Sequence, residues 1–312
     1  MKMKRPYWKK KAVNKIRHTF FISPLTFFFH CLIITGAFSA HAQGDSAAVN
    51  KRKLNTFIIA SASGYTAGMV TLNHLWYKDT ERQSFRFFND NAEWKQVDKA
   101  GHFFASFYLA DLPARALKRY GLPERKADMI GALSGFLLTV PIEVLDGFSD
   151  GYGASLGDIA ADAAGPVFYL GQKLLWNDIR IRPKFSFHRT DYAPMRPTLL
   201  GDNLLSEIVK DYNGQTYWLS LDIDKFVSFP KWLNVAVGYG AEEMVFARDE
   251  QNKTLGFNPR RQYYLALDVD LSGIRTRSRL VKGLLYVVNT IRLPAPALEF
   301  SSSATKFHPF YF

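Results

Sequence analysis

The chain has 312 residues, a formal net charge of +12 and 15% aromatic residues. Eight cations (Lys2, Lys4, Arg5, Lys9, Lys10, Lys11, Lys15 and Arg17) precede an apolar stretch at 20–38; without them 32 Lys and Arg face 28 Asp and Glu, which removes the case for nucleic-acid binding. The one cysteine, Cys31, lies in that same stretch, so disulfides and Cys-based metal sites are excluded from everything after it.

Residues 1–42 contain no Asp or Glu and run from basic to apolar to the small-residue ending Ala40-His41-Ala42. That order is a secretory signal peptide, with cleavage expected after Ala42. A lipoprotein site needs a small residue just before its cysteine, and here His30 precedes Cys31, so lipidation is not expected. About 270 residues remain, enough for one large or two smaller domains.

The segment 51–176 reads as four helices rich in Gly, Ala and Ser. The first, 54–77, has 24 residues without a formal charge, long enough for a bilayer, yet Asn55, Ser61, Ser63, Thr66 and Asn73 suit a packed helix equally. The others fall at 97–120, at 127–145 with Pro141 inside, and at 155–176. Gly64, Gly68, Gly131, Gly135, Gly157 and Gly165 allow close helix approach, as in membrane bundles and compact soluble ones. The composition shifts near 177–183, and the period then becomes that of strands at 216–223, 233–239, 262–271 and 297–302. On the third of these Asp268 and Asp270 share one face, Leu267, Val269 and Leu271 the other. Residues 279–291 suit a basic amphipathic helix, and the chain closes on aromatic residues with a terminal Phe312, as last strands of outer-membrane barrels do. Such barrels start at eight strands. The expected class is therefore α+β: a bundle of about four helices at 51–176, then a curved antiparallel sheet, a partial barrel at most, at 180–312.

Three polar groupings interrupt the apolar helices. Asp98, Lys99 and His102 come first, with Ser106 continuing the face that Asp98 and His102 share. Glu143 and Asp146 lie three apart at the end of the third helix. Ser155 is a candidate N-cap with Asp158 at the capping-box distance, and Asp162 follows on the same face as Asp158. Charged groups among apolar helices are costly unless they meet, so these residues are expected to converge on one buried or half-buried site. Three chemistries fit: a divalent metal held by ligands from His102, Glu143, Asp146, Asp158 and Asp162; acid–base or hydrolytic catalysis with His102 as base and Lys99 and Asp98 beside it; or a structural knot in which Lys99 and His102 neutralise the acids. Gly151-Tyr152-Gly153 between the second and third groupings reads as a turn or lid.

The order Asp-Lys-x-x-His, Glu-x-x-Asp, Ser-x-x-Asp-x-x-x-Asp-x-x-Gly, here Asp98, Lys99 and His102, Glu143 and Asp146, Ser155, Asp158, Asp162 and Gly165, resembles the YfiM-like family of predicted periplasmic lipoproteins, over roughly 90–172. A weaker similarity runs to the VanZ-like membrane family, which has Gln and Asn where this chain has Asp146 and Asp162. The resemblance implies a cell-envelope location and no particular reaction. The expectation is an exported protein of the periplasm or outer membrane, with membrane or envelope components as partners: a non-enzymatic structural or binding component, or else a metal-assisted or acid–base hydrolase acting on a lipid or cell-wall substrate.

Overall fold

The computed structural model describes residues 51–77 and 80–312; the expected signal peptide, with Cys31, lies outside the described residues. Helices come first: α1 (Lys51–Tyr77), α2 (Val97–Arg119), α3 (Glu124–Gly147) and α4 (Leu156–Trp176). Strands and short helices follow: β1 (Ile181–Phe187), α5 (Pro197–Leu200), α6 (Leu204–Lys210), β2 (Gln215–Leu221), β3 (Leu233–Glu242), α7 (Asp249–Thr254), β4 (Arg260–Val269), α8 (Arg279–Val288), β5 (Ala295–Ser301) and β6 (Thr305–Tyr311). The α+β class, helices first, is as the periodicity indicated. The described residues fall in one compact unit, so bundle and sheet share it.

α2, α3 and α4 pack on one another because small residues let their backbones approach. A Cβ at Gly131 would meet Ala110 O at 2.5 Å, and one at Gly165 would meet Ser106 Oγ at 2.3 Å and Phe103 O at 2.5 Å. Gly64 and Gly68 behave differently: nothing lies within 4 Å of where their Cβ would be. α1 has no buried residue and joins the bundle through the hydroxyls of Tyr65, donating to Leu138 O (2.7 Å), and Tyr77, donating to Asp146 Oδ1 (2.6 Å). By length and composition, α3 is the one described helix apolar enough to cross a membrane. The bundle's apolar centre is Phe107, Ala110, Ala114, Ala132, Tyr169 and Ile179.

The six strands form an antiparallel meander in the order β1 to β6, and the sheet does not close. Each edge strand carries a proline, Pro183 in β1 and Pro309 in β6, where a missing N–H costs no central ladder bond. The outer edge of β1 is also capped where Phe185 N donates to Thr290 O (2.9 Å) and Arg292 N to Phe185 O (2.8 Å). Strong curvature lets inner-face residues of distant strands meet. Trp218, Ala236, Tyr264, Ala266, Ala297 and Tyr311 form one cluster, and the Tyr311 and Thr216 hydroxyls lie 3.0 Å apart.

The inner face of this sheet is mixed, with charged groups beside that aromatic cluster, while much of the outer face is apolar. Inward positions include Lys184, Asn234, Asp268, Glu299 and, from the loop before β5, Arg292, all almost fully buried. Lys184 Nζ lies 2.7 Å from Asp268 Oδ2, which also accepts from Ser220 Oγ (2.6 Å). The Arg292 guanidinium stacks 4.1 Å over the Trp218 ring and donates to three backbone carbonyls. Outward positions alternate with these and are apolar: Val237, Leu265, Leu267, Leu298, Phe300 and Phe307. α2 covers the outer face at β1 and β2, where Phe104 packs on Phe185 and Tyr217, and reaches the end of β3, where Val97 packs with Ala241 and Tyr239.

Candidate functional site

The polar groupings converge at one end of the bundle. Ser155 caps α4, its Oγ accepting from Gly157 N (3.1 Å) and Asp158 N (3.2 Å). Asp158 stands where a capping box would turn it back onto the Ser155 N–H. Glu143 of α3 takes that role instead, its Oε2 accepting from Ser155 N at 2.8 Å. Asp158 is thereby released to Lys99 of α2.

Lys99 Nζ donates to three carboxylates, Asp90 Oδ1 (3.0 Å), Asp98 Oδ2 (3.1 Å) and Asp158 Oδ1 (3.0 Å). Burial would lower the Lys99 pKa, but Asp98, Asp158 and Asp90 override it and raise it. Asp90 had no signal in the sequence: it sits in an Asn-Asp-Asn loop, yet it accepts from Ser155 Oγ (2.5 Å) as well as from Lys99. Those two donors and a hydrogen bond with Asp158 outweigh burial, holding its pKa below the usual carboxylate value.

A second group lies one helical turn on. His102 Nδ1 is 3.0 Å from Asp162 Oδ1, a hydrogen bond between ring and carboxyl group. The other ring nitrogen, Nε2, is 3.9 Å from Glu143 Oε1. Burial would lower the His102 pKa; the Asp162 hydrogen bond and the charges of Asp158, Asp162 and Glu143 raise it to about 10. Burial pushes Glu143 up to about 8, only partly offset by its bond from Ser155 N–H and by His102. Burial likewise takes Asp158 to about 7 against the pull of His102 and Lys99. Asp146 rises to about 6 by burial, with Tyr77 and His102 opposing.

The structure thus brings Asp98, Lys99, His102, Glu143, Ser155, Asp158 and Asp162 together. Asp146 is turned towards Tyr77, which the sequence did not single out. Ser106 is fully buried, but its hydroxyl donates to Phe103 O (3.2 Å) beside Gly165 and serves helix packing. The 148–154 loop is pinned rather than free: Phe88 N donates to Ala154 O (2.9 Å) and Arg86 Nη2 to Tyr152 O (2.7 Å). The turn that delivers α2 is left-handed at three successive non-glycine residues, Trp94, Lys95 and Gln96. It is held from the sheet side by Trp94 N donating to Ala247 O (2.8 Å), by the Lys95–Asp249 ion pair and by the Trp94 ring on Tyr212.

Residues 86–171 match the family model described as predicted periplasmic lipoprotein (DUF2279). The match spans Asp90 through Asp162 and so takes in the whole cluster except Tyr77. It supports export to the periplasm. No curated protein and no solved structure matches the chain.

Proposed function

We propose that this is a non-enzymatic component of the cell envelope that lies against a lipid bilayer through the outer face of its sheet. The observation that carries the reading is the exposed apolar row on the outer face of β3 to β6, set against charged groups buried on the inner face. Leu265 and Leu267 are each 44% exposed while Asp268 beside them is fully buried. A soluble sheet with one wet face puts its apolar side inward; strands facing lipid do the reverse. α8 supports the same orientation. Its Leu280, Leu284 and Val287 are exposed, and Arg275, Arg277, Arg279 and Lys282 lie on or just before it, the composition of a helix resting in a membrane interface. Tyr286, donating to Asp111 Oδ2 (3.1 Å), ties this helix to α2, so bundle and sheet present one surface. The non-enzymatic part rests on the cluster. The carboxyl groups are each bonded to Lys99, His102, Tyr77 or a backbone N–H, and the Ser106 and Ser155 hydroxyls turn to Phe103 O and Asp90 rather than to His102.

The test is flotation of the purified chain, without residues 1–42, with vesicles of phosphatidylethanolamine and phosphatidylglycerol. The protein should rise with the vesicles. Leu267→Lys with Phe300→Lys should return it to the soluble fraction, each charge costing about 2–4 kcal/mol if its position reaches the bilayer centre and less near the interface. Recovery of the wild-type chain as a soluble monomer, or as a dimer closed on the same face, would contradict the reading.

A further inference from the structure

The bundle end holds two carboxylate groups that differ in how their charge is met. Around Lys99, Asp90, Asp98 and Asp158 have an ammonium supplied by the chain itself. Around His102, no lysine or arginine of the described residues is paired with Glu143 or Asp162. Glu143 and Asp162 are only 3% and 1% exposed, yet Glu143 Oε1 and Asp162 Oδ2 have no hydrogen-bond partner. A buried carboxylate oxygen without a partner carries a large desolvation cost. Two such oxygens on facing helices, both beside the His102 ring, can take a cation once the imidazolium gives up a proton to solvent.

We propose that His102, Glu143 and Asp162 hold a divalent transition-metal ion. One ligand atom from each of the three lies within 4.8 Å of the others. The donor set decides the class: calcium and magnesium take oxygen ligands, whereas an imidazole with two carboxylates suits zinc, manganese or iron. The fold supports the ligands from behind. Glu143 is held through its second oxygen by the Ser155 N–H, and Asp162 Oδ1 lies 3.0 Å from His102 Nδ1. Because Glu143 comes from α3, His102 from α2 and Asp162 from α4, the ion would clamp all three helices at one point.

The experiment uses the chain without residues 1–42, stripped with a chelator, dialysed and titrated with Zn²⁺, with Ca²⁺ in parallel. One Zn²⁺ per chain is expected, bound at least about tenfold more tightly than Ca²⁺. Glu143→Gln keeps an acceptor for the Ser155 N–H, and this variant and Asp162→Asn should each weaken Zn²⁺ binding by about tenfold or more. Asp178→Asn, at an exposed ion pair, should leave it unchanged. A readout that survives misfolding of the variants is the X-ray absorption spectrum of Co²⁺-loaded wild-type protein, which should show one imidazole in an oxygen-rich shell. No stoichiometric Zn²⁺, unchanged affinity in both folded variants, or a Co²⁺ shell without imidazole would each overturn the proposal.

Discussion

Replacing Lys99 by Met keeps most of the stem and removes the ammonium that three carboxylates share. Lys99 Nζ stands 3.0–3.1 Å from Asp90, Asp98 and Asp158, and the four side chains are 8–14% exposed. Removing one partner from a buried ion pair costs about 3–5 kcal/mol because the other charge stays buried. Residual solvent contact places Lys99→Met near the lower limit, about 3 kcal/mol. For a unit of this size that corresponds to a fall in Tm of roughly 6–12 °C. The assay is thermal unfolding followed by far-ultraviolet circular dichroism at pH 7 in the presence of a chelator. Asp158→Asn introduced into the Lys99→Met background should recover part of the loss, because it removes one of the stranded charges, whereas alone it should destabilise. A Tm for Lys99→Met within about 1 °C of wild type, or strictly additive effects in the double variant, would show that the acids do not depend on this cation.

Stability of the chelated protein should fall as pH rises from about 6 to 9. Burial raises Glu143, Asp158 and Asp146 to about 8, 7 and 6, so between the unfolded value near 4 and those limits the folded chain holds protons that the unfolded chain has released. His102, raised to about 10 by its carboxylates against the effect of burial, contributes stability that is complete below about 6.5 and lost as pH climbs through 10, the same sign; urea midpoints that are flat or increase over this range would contradict it. Lys184→Met inside the sheet should cost about 3–5 kcal/mol by stranding Asp268, with Lys184→Met/Asp268→Asn recovering much of it, read from the same urea midpoints. Gly165→Ala should destabilise by about 1–3 kcal/mol, since its Cβ would press on Ser106 Oγ and Phe103 O, whereas Gly68→Ala, facing open space, should be neutral or stabilise by up to about 1 kcal/mol.

The four helices were legible because long apolar runs with small residues sit between clear breaks, and Ser155 marked the start of α4. β2 to β5 were legible from their period of two. β1 was not, and β6 was hinted at only by its aromatic ending, because Arg182-Pro183-Lys184 and His308-Pro309 look like loop to any reading that demotes proline; both are edge strands, where proline is tolerated. Alternation separates Asp268 from Leu267 but cannot say which of the two faces inward, since a lipid-facing sheet and a soluble one share the pattern. Among the site residues, spacing exposed those on one helix, such as Asp98 with His102 and Asp158 with Asp162. Asp90 and Tyr77 reach the cluster only through tertiary packing and left no local trace. The swap by which Glu143 takes over the Ser155 N–H, freeing Asp158 for Lys99, is likewise a property of two helices meeting.

Cys31 is the only cysteine in the chain, so the protein without residues 1–42 accepts single spin labels cleanly. Labels at positions 262 to 267 along β4, read for oxygen and nickel-chelate accessibility with vesicles present, test the lipid-facing sheet most directly. Residues 263, 265 and 267 should be oxygen-accessible and shielded from the nickel chelate, while 262, 264 and 266 are shielded from both, in strict alternation. Access of the nickel chelate to 263, 265 and 267 in the presence of vesicles would show that this face meets water, and the membrane reading would fall.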